Sequence, residues 1–235
     1  MRMIFPKWLN LFPTLSALAG VGALLTVITG TWYYATPDFW EVGYMPEQPG
    51  SGFNHQLHAG KLGMDCRYCH TNVEKSAHSN VPAVATCMGC HTDGMLGQQW
   101  DPGVEKVGFV RTAYANDDSI PWRKIHHLPG YVGAFPHHMH VRAGVSCYSC
   151  HGQITAMPVV YQDQGLGMGW CLDCHRNVEE NIVPPDKVTD LVWVEQHLKD
   201  RKQGAAVPSA AQQIIDRIQE SIHEGGPQNC GACHH

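Results

Sequence analysis

The sequence carries little charge and has no basic stripe, which argues against one broad class of function. Lys and Arg together number 16 against 21 Asp and Glu, so the formal net charge is −5. Nucleic-acid-binding domains concentrate positive charge on one face or along one helix. We therefore expect no nucleic acid as a partner.

Long uninterrupted helix or strand patterns are also scarce beyond the N-terminal region. The 24 Gly and 15 Pro of this 235-residue chain fall between its motifs and break regular backbone structure. The composition therefore predicts mostly irregular backbone with short α-helices. It does not predict a continuous sheet.

No cysteine lies outside a C-x-x-C-H pattern, and the pattern occurs five times. Two thiols at this spacing can each form a thioether with one porphyrin vinyl group, while the next histidine offers its imidazole to the iron. A disulfide framework or paired zinc knuckles are the alternatives, but neither needs a histidine after every second cysteine. The attachment cysteines are Cys66, Cys69, Cys87, Cys90, Cys147, Cys150, Cys171, Cys174, Cys230 and Cys233, and the proximal ligands are His70, His91, His151, His175 and His234.

Five covalently bound c-type haems determine the expected fold class. Fewer than two hundred residues remain after the N-terminal apolar stretch, so five large macrocycles must form much of the core. The prediction is a multihaem cytochrome c, mostly irregular with short α-helices around five haems, and one N-terminal transmembrane helix.

An internal repeat supplies candidates for the second ligand of each iron. The chain has 16 histidines, and an F-x-H-x-x-H element precedes the first and the third C-x-x-C-H pattern. Surplus histidine in a multihaem protein points to distal ligands, and two rings close in sequence can serve different haems. The repeat predicts His55, His58, His137 and His140 as distal ligands, and the two copies read as two dihaem units in series.

The fifth distal ligand has weaker support in the sequence. His126 is our prediction, on position alone. His127 is the next candidate, and Met157 and Met168 are thioether alternatives that raise a haem's potential.

The N-terminal stretch from residue 11 to 35 has no charged residue and is long enough to cross the roughly 30 Å hydrocarbon core of a bilayer. Arg2 and Lys7 precede it, whereas acidic residues follow, so the positive-inside rule keeps the N-terminus cytoplasmic. A signal peptide cleaved after the segment 17–19 is the alternative, but the apolar run continues about sixteen residues further. We therefore expect an uncleaved anchor.

These assignments divide the chain into six segments. Three helices are also expected, near 104–114, over 190–202 and from 209 to 222, the last with a capping box at Ser209–Gln212 and an isoleucine face. The segments are the cytoplasmic N-terminus 1–10, the anchor 11–35, the linker 36–52, the first dihaem module with its connecting loop 53–121, the second dihaem module 122–180, and the C-terminal helices with the fifth haem site 181–235.

If all five irons carry two axial ligands, no coordination position is open to a substrate. A haem enzyme that reduces a small molecule needs such a position, whereas every attachment motif here is the ordinary one. The residues therefore favour an electron-transfer protein over an enzyme. A multihaem reductase with one high-spin iron is an alternative from the enzyme class.

Three segments, 53–91, 122–140 and 144–177, closely resemble the pentahaem, membrane-anchored cytochrome c subunits of bacterial alternative complex III. The resemblance implies a quinol-oxidising respiratory complex in the cell membrane, with the haem domain on the periplasmic side. It implies electron transfer from an iron-sulfur subunit to a monohaem cytochrome c or a terminal oxidase, beside integral-membrane subunits. It also favours His126 over His127. A membrane-anchored quinol dehydrogenase of the nitrate and nitrite reductase type is the other alternative.

Overall fold

The structure is a computed structural model that describes residues 6–36, 39–97, 103–128, 135–222 and 225–234. Regular structure in these ranges is helical, without a β-strand, and one isolated antiparallel bridge joins Val145 to Ile182. This confirms the predicted helical, largely irregular chain. The α-helices are α1 (Phe12–Ala35), α2 (Cys66–Cys69), α3 (Val84–His91), α4 (Val104–Ala115), α5 (His137–Arg142), α6 (Cys147–His151), α7 (Met168–Arg176), α8 (Leu191–Lys202), α9 (Ser209–Ile222) and α10 (Cys230–Cys233).

Helix α1 begins at Phe12, one residue after the first residue of the predicted anchor, and ends at Ala35, the last residue of the anchor. A short 3-10 helix, Lys7–Leu11, leads into it, and the stretch Lys7–Tyr33 is apolar and long enough to cross a membrane. An N-terminal signal sequence has the same properties, so length and composition alone do not separate the two readings. Arg2, used above for orientation, lies outside the described residues.

Aromatic rings cluster where α1 ends. The Tyr33 ring lies 4.8 Å from that of Phe39 and 4.6 Å from that of Trp40, and Trp32 also contacts Phe39 edge to face. Aromatic side chains of this kind prefer the boundary between lipid and water. The cluster therefore lies where an interfacial belt is expected.

The linker after α1 pairs with the second module. The backbone N–H of Gly43 donates to the Gln162 carbonyl (2.7 Å), and the Gln162 N–H donates to the Tyr44 carbonyl (3.0 Å). The Gln162 side chain is fully buried and donates to Glu41 Oε2 (3.1 Å). The linker is thus held against residues that lie more than a hundred positions further along the chain.

The two modules are packed against each other. A π-helical turn, Gln56–Lys61, packs against the 3-10 turn Ile154–Ala156, and the Gln56 N–H donates to the Met157 carbonyl (3.0 Å). Gly60 lies directly against the backbone carbonyl of Thr155, so a Cβ at position 60 has no room. The boundary between the predicted modules is therefore a close contact.

The apolar core of the described residues lies mainly in the C-terminal half. One cluster joins Ala211, Ile214 and Ile215 of α9 to Ile182, and a second joins Val183, Val188 and Val194. The partly buried Val145 of the second module packs on the first cluster. The isoleucine face of α9 therefore packs against Ile182 and, through Val145, against module two.

The other predicted helices agree with the structure except in one detail. Helices α4 and α8 cover the expected stretches, and Asp190 caps α8 by accepting from the Trp193 N–H (3.2 Å). The capping box is wrong. Helix α9 begins at Ser209 itself, and the Gln212 side-chain amide donates to Asp216 Oδ1 (2.7 Å), because an i,i+4 partner is available on the same helix face.

Candidate haem-binding sites

Every C-x-x-C-H pattern places its cysteines on a helix. We number the patterns as site one (α2), site two (within α3), site three (α6), site four (within α7) and site five (α10). Residues three apart lie on the same helix face, so the helical backbone points both thiols of a site in one direction. That is the geometry that a porphyrin with two vinyl groups requires.

Two of these short helices are fixed by side-chain caps. Asp65 accepts from the Arg67 N–H (2.8 Å) at site one, and Ser146 accepts from the Tyr148 N–H (3.2 Å) at site three. Arg67 also pairs with the Asp65 and Glu74 carboxylates, at 2.9 and 3.2 Å. These contacts stabilise helical turns that are too short to persist alone.

None of the ten cysteines forms a disulfide, and burial favours the neutral form of several of their thiols. Burial raises the pKa of the Cys150 thiol to about 12 and also raises the pKa values of Cys69, Cys87 and Cys174. Burial disfavours the charged form of any thiol. The thiols therefore lie in apolar surroundings that suit a porphyrin.

Four buried histidines near these sites are neutral imidazoles at neutral pH. Burial lowers the pKa of His55 and of His126 to about 4, and it also lowers the pKa values of His140 and His151. An imidazole must be neutral to bind a metal. Each of these side chains is thus in the form that ligates iron at neutral pH.

Three pairs of histidines have the separation that a shared iron requires. Two imidazoles on one iron, each with a metal–nitrogen bond of about 2 Å, have ring centroids roughly 6 Å apart. The observed separations are 6.1 Å, 6.1 Å and 6.5 Å. The pairs are His58 with His91, His140 with His175, and His137 with His151.

His55 completes the set of predicted distal histidines. Among its neighbouring side chains, His70 has the strongest electrostatic effect on its pKa. The Nδ1 atom of His55 is buried and has no hydrogen-bond partner within the described residues. The structure thus brings each of the four repeat histidines near a different C-x-x-C-H histidine.

The two F-x-H-x-x-H elements have the same ring geometry. Phe53 meets His55 edge to face at 4.7 Å and stacks on His58 at 4.3 Å, with interplanar angles of 82° and 25°. In the second copy, the distances from Phe135 are 4.9 and 4.4 Å and the angles are 85° and 26°. In each copy a phenylalanine holds the two imidazoles apart and in fixed orientations.

Backbone carbonyls orient five of the candidate ligands. A metal-binding histidine usually donates its other ring N–H to a carbonyl or carboxylate, which fixes the tautomer and leaves Nε2 for the metal. The contacts are His58 Nδ1 with Asn54 O (2.8 Å), His70 with Asn80 O (2.7 Å), His137 with Ala77 O (2.7 Å), His140 with Pro136 O (3.1 Å) and His175 with Pro227 O (2.6 Å). The residues therefore fit axial ligation of haem iron.

His126, the predicted fifth distal ligand, lies beside His151 of site three. Its Nε2 is 3.1 Å from Nδ1 of His151, and the two rings are perpendicular with centroids 4.2 Å apart. That separation is too short for an iron between them. His126 therefore contacts a predicted proximal ligand from the side.

The alternatives for the fifth ligand lie elsewhere. The His127 N–H donates to Gln162 Oε1 (2.9 Å), and its ring meets Tyr44 of the linker at 5.1 Å. Met157 is buried and Met168 is exposed.

The carbonyl partners of the histidines could not be predicted from the sequence, because every residue has a carbonyl and no sequence signal distinguishes these five.

The chain is similar to a protein of the same general kind. It is 29% identical, over 177 residues, to the multihaem cytochrome c subunit of menaquinone reductase from Nitratidesulfovibrio vulgaris strain Hildenborough; the match covers 67% of this chain and 79% of that protein. No protein-family profile matches the chain. The similarity supports a multihaem cytochrome c, in agreement with the site geometry.

Proposed function

We propose that this chain is a pentahaem cytochrome c that relays electrons as a subunit of a membrane-bound, quinone-linked respiratory complex. The observation that carries the proposal is the pairing of histidines at four of the five C-x-x-C-H sites, three of the pairs at iron-bridging separations. A c-type haem supplies reversible one-electron chemistry at its iron when it is bound. The similarity to a multihaem subunit of a menaquinone reductase supports the link to quinone.

The protein's own residues bind and orient five cofactors. The cysteine pairs would hold each macrocycle, and the paired histidines would ligate its iron. The Nδ1 contacts to carbonyls fix each ring and raise its basicity, which favours the ferric state. At the four paired sites a haem with two histidine ligands would leave no place for a substrate, so the proposed role is electron transfer without catalysis at an iron.

Haem count and coordination test this proposal directly. The intact mass of the purified holoprotein should exceed the mass of the polypeptide by five haems. Electron paramagnetic resonance of the oxidised protein should show low-spin signals only. Fewer than five haems, or a high-spin iron that binds small ligands, contradicts the proposal and favours the reductase alternative.

The specific complex is part of the proposal. The resemblance of segments 53–91, 122–140 and 144–177 to alternative complex III supports an iron-sulfur subunit as donor, integral-membrane subunits as neighbours, and a monohaem cytochrome c or terminal oxidase as acceptor. The apolar helix α1 supports attachment to the membrane. The haem domain is then periplasmic, because c-type haems are attached outside the cytoplasm in such cytochromes.

A second candidate function transfers electrons in the opposite direction. The similar protein from Nitratidesulfovibrio vulgaris belongs to a menaquinone reductase, which favours a complex that delivers electrons to quinone. The complex should therefore be purified by its haem subunit, and its other polypeptides identified. Quinol oxidation coupled to reduction of a cytochrome c supports the first function, whereas quinone reduction by a reduced cytochrome supports the second.

A further inference from the structure

The two modules meet through their first haem sites. The side chains of Cys66 (site one) and Cys147 (site three) are close neighbours. The His137 ring, which faces His151 of site three, is held by the carbonyl of Ala77 from the first module. Site one is therefore a direct neighbour of site three, although site two lies between them in the sequence.

Within each module the F-x-H-x-x-H element joins two sites. Phe53 separates His55, which lies near His70 of site one, from His58, which faces His91 of site two. In the second copy, His137 lies at site three and His140 lies at site four. Each module thus places its two sites on the two sides of one phenylalanine.

Site five continues from site four. The Gly226 N–H donates to the His175 carbonyl (2.7 Å), and the Pro227 carbonyl accepts from His175 Nδ1 (2.6 Å). This segment leads into α10, which carries site five. The electrostatic neighbours among the thiols follow the same order, Cys69 with Cys87, Cys66 with Cys147, Cys150 with Cys174, and Cys171 with Cys233.

From these contacts we infer that the haems are arranged in the spatial order two, one, three, four, five, with the modules joined head to head. This inference rests on the proposed electron-relay function. Site three then lies in the middle of the relay, and sites two and five lie at its two ends. Cys90 and Cys230, one at each end, are the exposed cysteines, whereas the other eight are partly buried.

A redox marker at site three tests the order. The His137→Met variant replaces the histidine that faces His151 of site three with methionine. A methionine-ligated ferric haem has a far-red charge-transfer band, so this band reports the midpoint potential of the site-three haem alone. Removing a neighbouring haem changes the charge beside the marker and shifts its midpoint. Two haem-deletion variants are compared in the full chain, Cys66→Ala with Cys69→Ala for site one, and Cys87→Ala with Cys90→Ala for site two.

The head-to-head order and the order of the sequence give opposite results. We expect the site-one deletion to shift the marker's midpoint and the site-two deletion to leave it unchanged. The reverse result, or equal shifts in both variants, overturns the inferred order. Failure of the relay proposal is separate, because it appears in the unmodified protein as a haem count below five.

A second measurement applies if a deletion variant does not accumulate. A cryo-electron microscopy map of the wild-type complex locates each iron and the cysteines that hold its haem. The iron of site three should have the irons of sites one and four as nearest neighbours. An iron of site two beside that of site three contradicts the inference.

Discussion

At the scale of single residues, burial determines the chemistry of the histidines. A desolvated imidazole loses its proton, so His55, His126, His140 and His151 are neutral ligands or hydrogen-bond acceptors rather than cations. The carbonyl contacts then assign the remaining proton to Nδ1. His151 differs from the five carbonyl-bound histidines, because its Nδ1 meets the imidazole of His126.

From this contact we propose that His126 has a role that differs from axial ligation. As an acceptor from His151 Nδ1–H, it makes His151 a stronger donor to iron and lowers the potential of site three. We expect His126→Leu to raise that potential by about 40 mV, which corresponds to the ~1 kcal/mol of one hydrogen bond in a one-electron couple. The measurement is a potentiometric titration of the holoprotein.

The control for this substitution is His127→Leu, which changes a neighbouring ring that contacts Tyr44 of the linker. It should leave the potential of site three unchanged. The electron paramagnetic resonance spectrum separates the two roles of His126. A new high-spin iron in His126→Leu identifies it as an axial ligand, as predicted from the sequence, and contradicts the contact role.

Asp65 is expected to make site one sensitive to acid. Its hydrogen bond with Arg67 lowers the Asp65 pKa from 3.8 to about 2. The stabilisation is therefore complete above pH 4 and is lost as the pH falls toward 2. We expect Asp65→Ala to cost about 1 kcal/mol of unfolding free energy at pH 7 and Asp65→Asn less, since Asn still caps the helix.

Urea unfolding of the holoprotein at several pH values measures this effect. The difference between wild type and Asp65→Ala should shrink between pH 4 and pH 2. A difference that stays constant over this interval shows that the carboxylate charge does not contribute.

The sequence predicts which residues form much of the candidate site, but it does not predict the contacts that those residues make. The C-x-x-C-H spacing predicts the proposed attachment sites, and the repeat identifies four histidines that the structure brings close to C-x-x-C-H histidines. The position of His126 depends on contacts between distant segments, which a spacing does not encode. The same is true of the carbonyl of Ala77, which lies 60 residues from the ring that it holds.

At the scale of elements, the histidine repeat keeps its ring geometry on two different backbones. The first copy continues into a π-helical turn and the second into α5, yet the Phe–His distances differ by no more than 0.2 Å. π-helical turns are rare and often occur at functional sites. The phenylalanine contacts and the i,i+3 spacing are thus the shared structural unit.

The turn before α10 tests whether packing at Gly226 positions site four. A Cβ at Gly226 would lie 2.7 Å from Cγ of His175, so Gly226→Ala must displace the ring or the turn. We expect the low-spin signal of site four to change and the unfolding free energy to fall by about 1–3 kcal/mol.

Gly231→Ala is the matched control, because its nearest neighbour would be Asn229 Oδ1 at 3.7 Å, an ordinary contact. Spectra and unfolding curves of both variants should be recorded with five haems attached. If the two variants behave alike, the close approach at Gly226 does not position His175.

Helices with their own sequence signals were predictable, whereas the contacts between them were not. Helices α8 and α9 follow from their apolar patterns and their stop signals, and α9 packs its isoleucines as expected. Nothing local indicates that Cys66 meets Cys147, because that contact joins segments 81 residues apart. Long-range packing decided the arrangement of the modules.

At the scale of the whole molecule, the apolar helix α1 is the proposed membrane anchor of the haem domain. The proposed anchor predicts that the full chain stays in the membrane fraction after alkaline carbonate washing. Replacing residues 1–35 with a cleavable signal peptide should release a soluble periplasmic protein with five haems, since the linker contacts Gly43–Gln162 and Tyr44–Gln162 are retained. Release of the unmodified chain by carbonate identifies α1 as a signal sequence instead.

The distribution of buried side chains predicts how the chain behaves without its cofactors. Both apolar clusters lie around α8 and α9, while the helices of sites one, two, four and five contain no buried side chain. A chain of this size folds by burying apolar surface, and here the macrocycles must supply much of it. We expect the protein made in a host without cytochrome c maturation to lack stable tertiary structure. Limited proteolysis should then degrade segment 53–180 of the apoprotein faster than the same segment of the holoprotein. Segment 182–222 should be more resistant, because its own apolar clusters remain. Equal resistance of apoprotein and holoprotein contradicts a haem-dependent core.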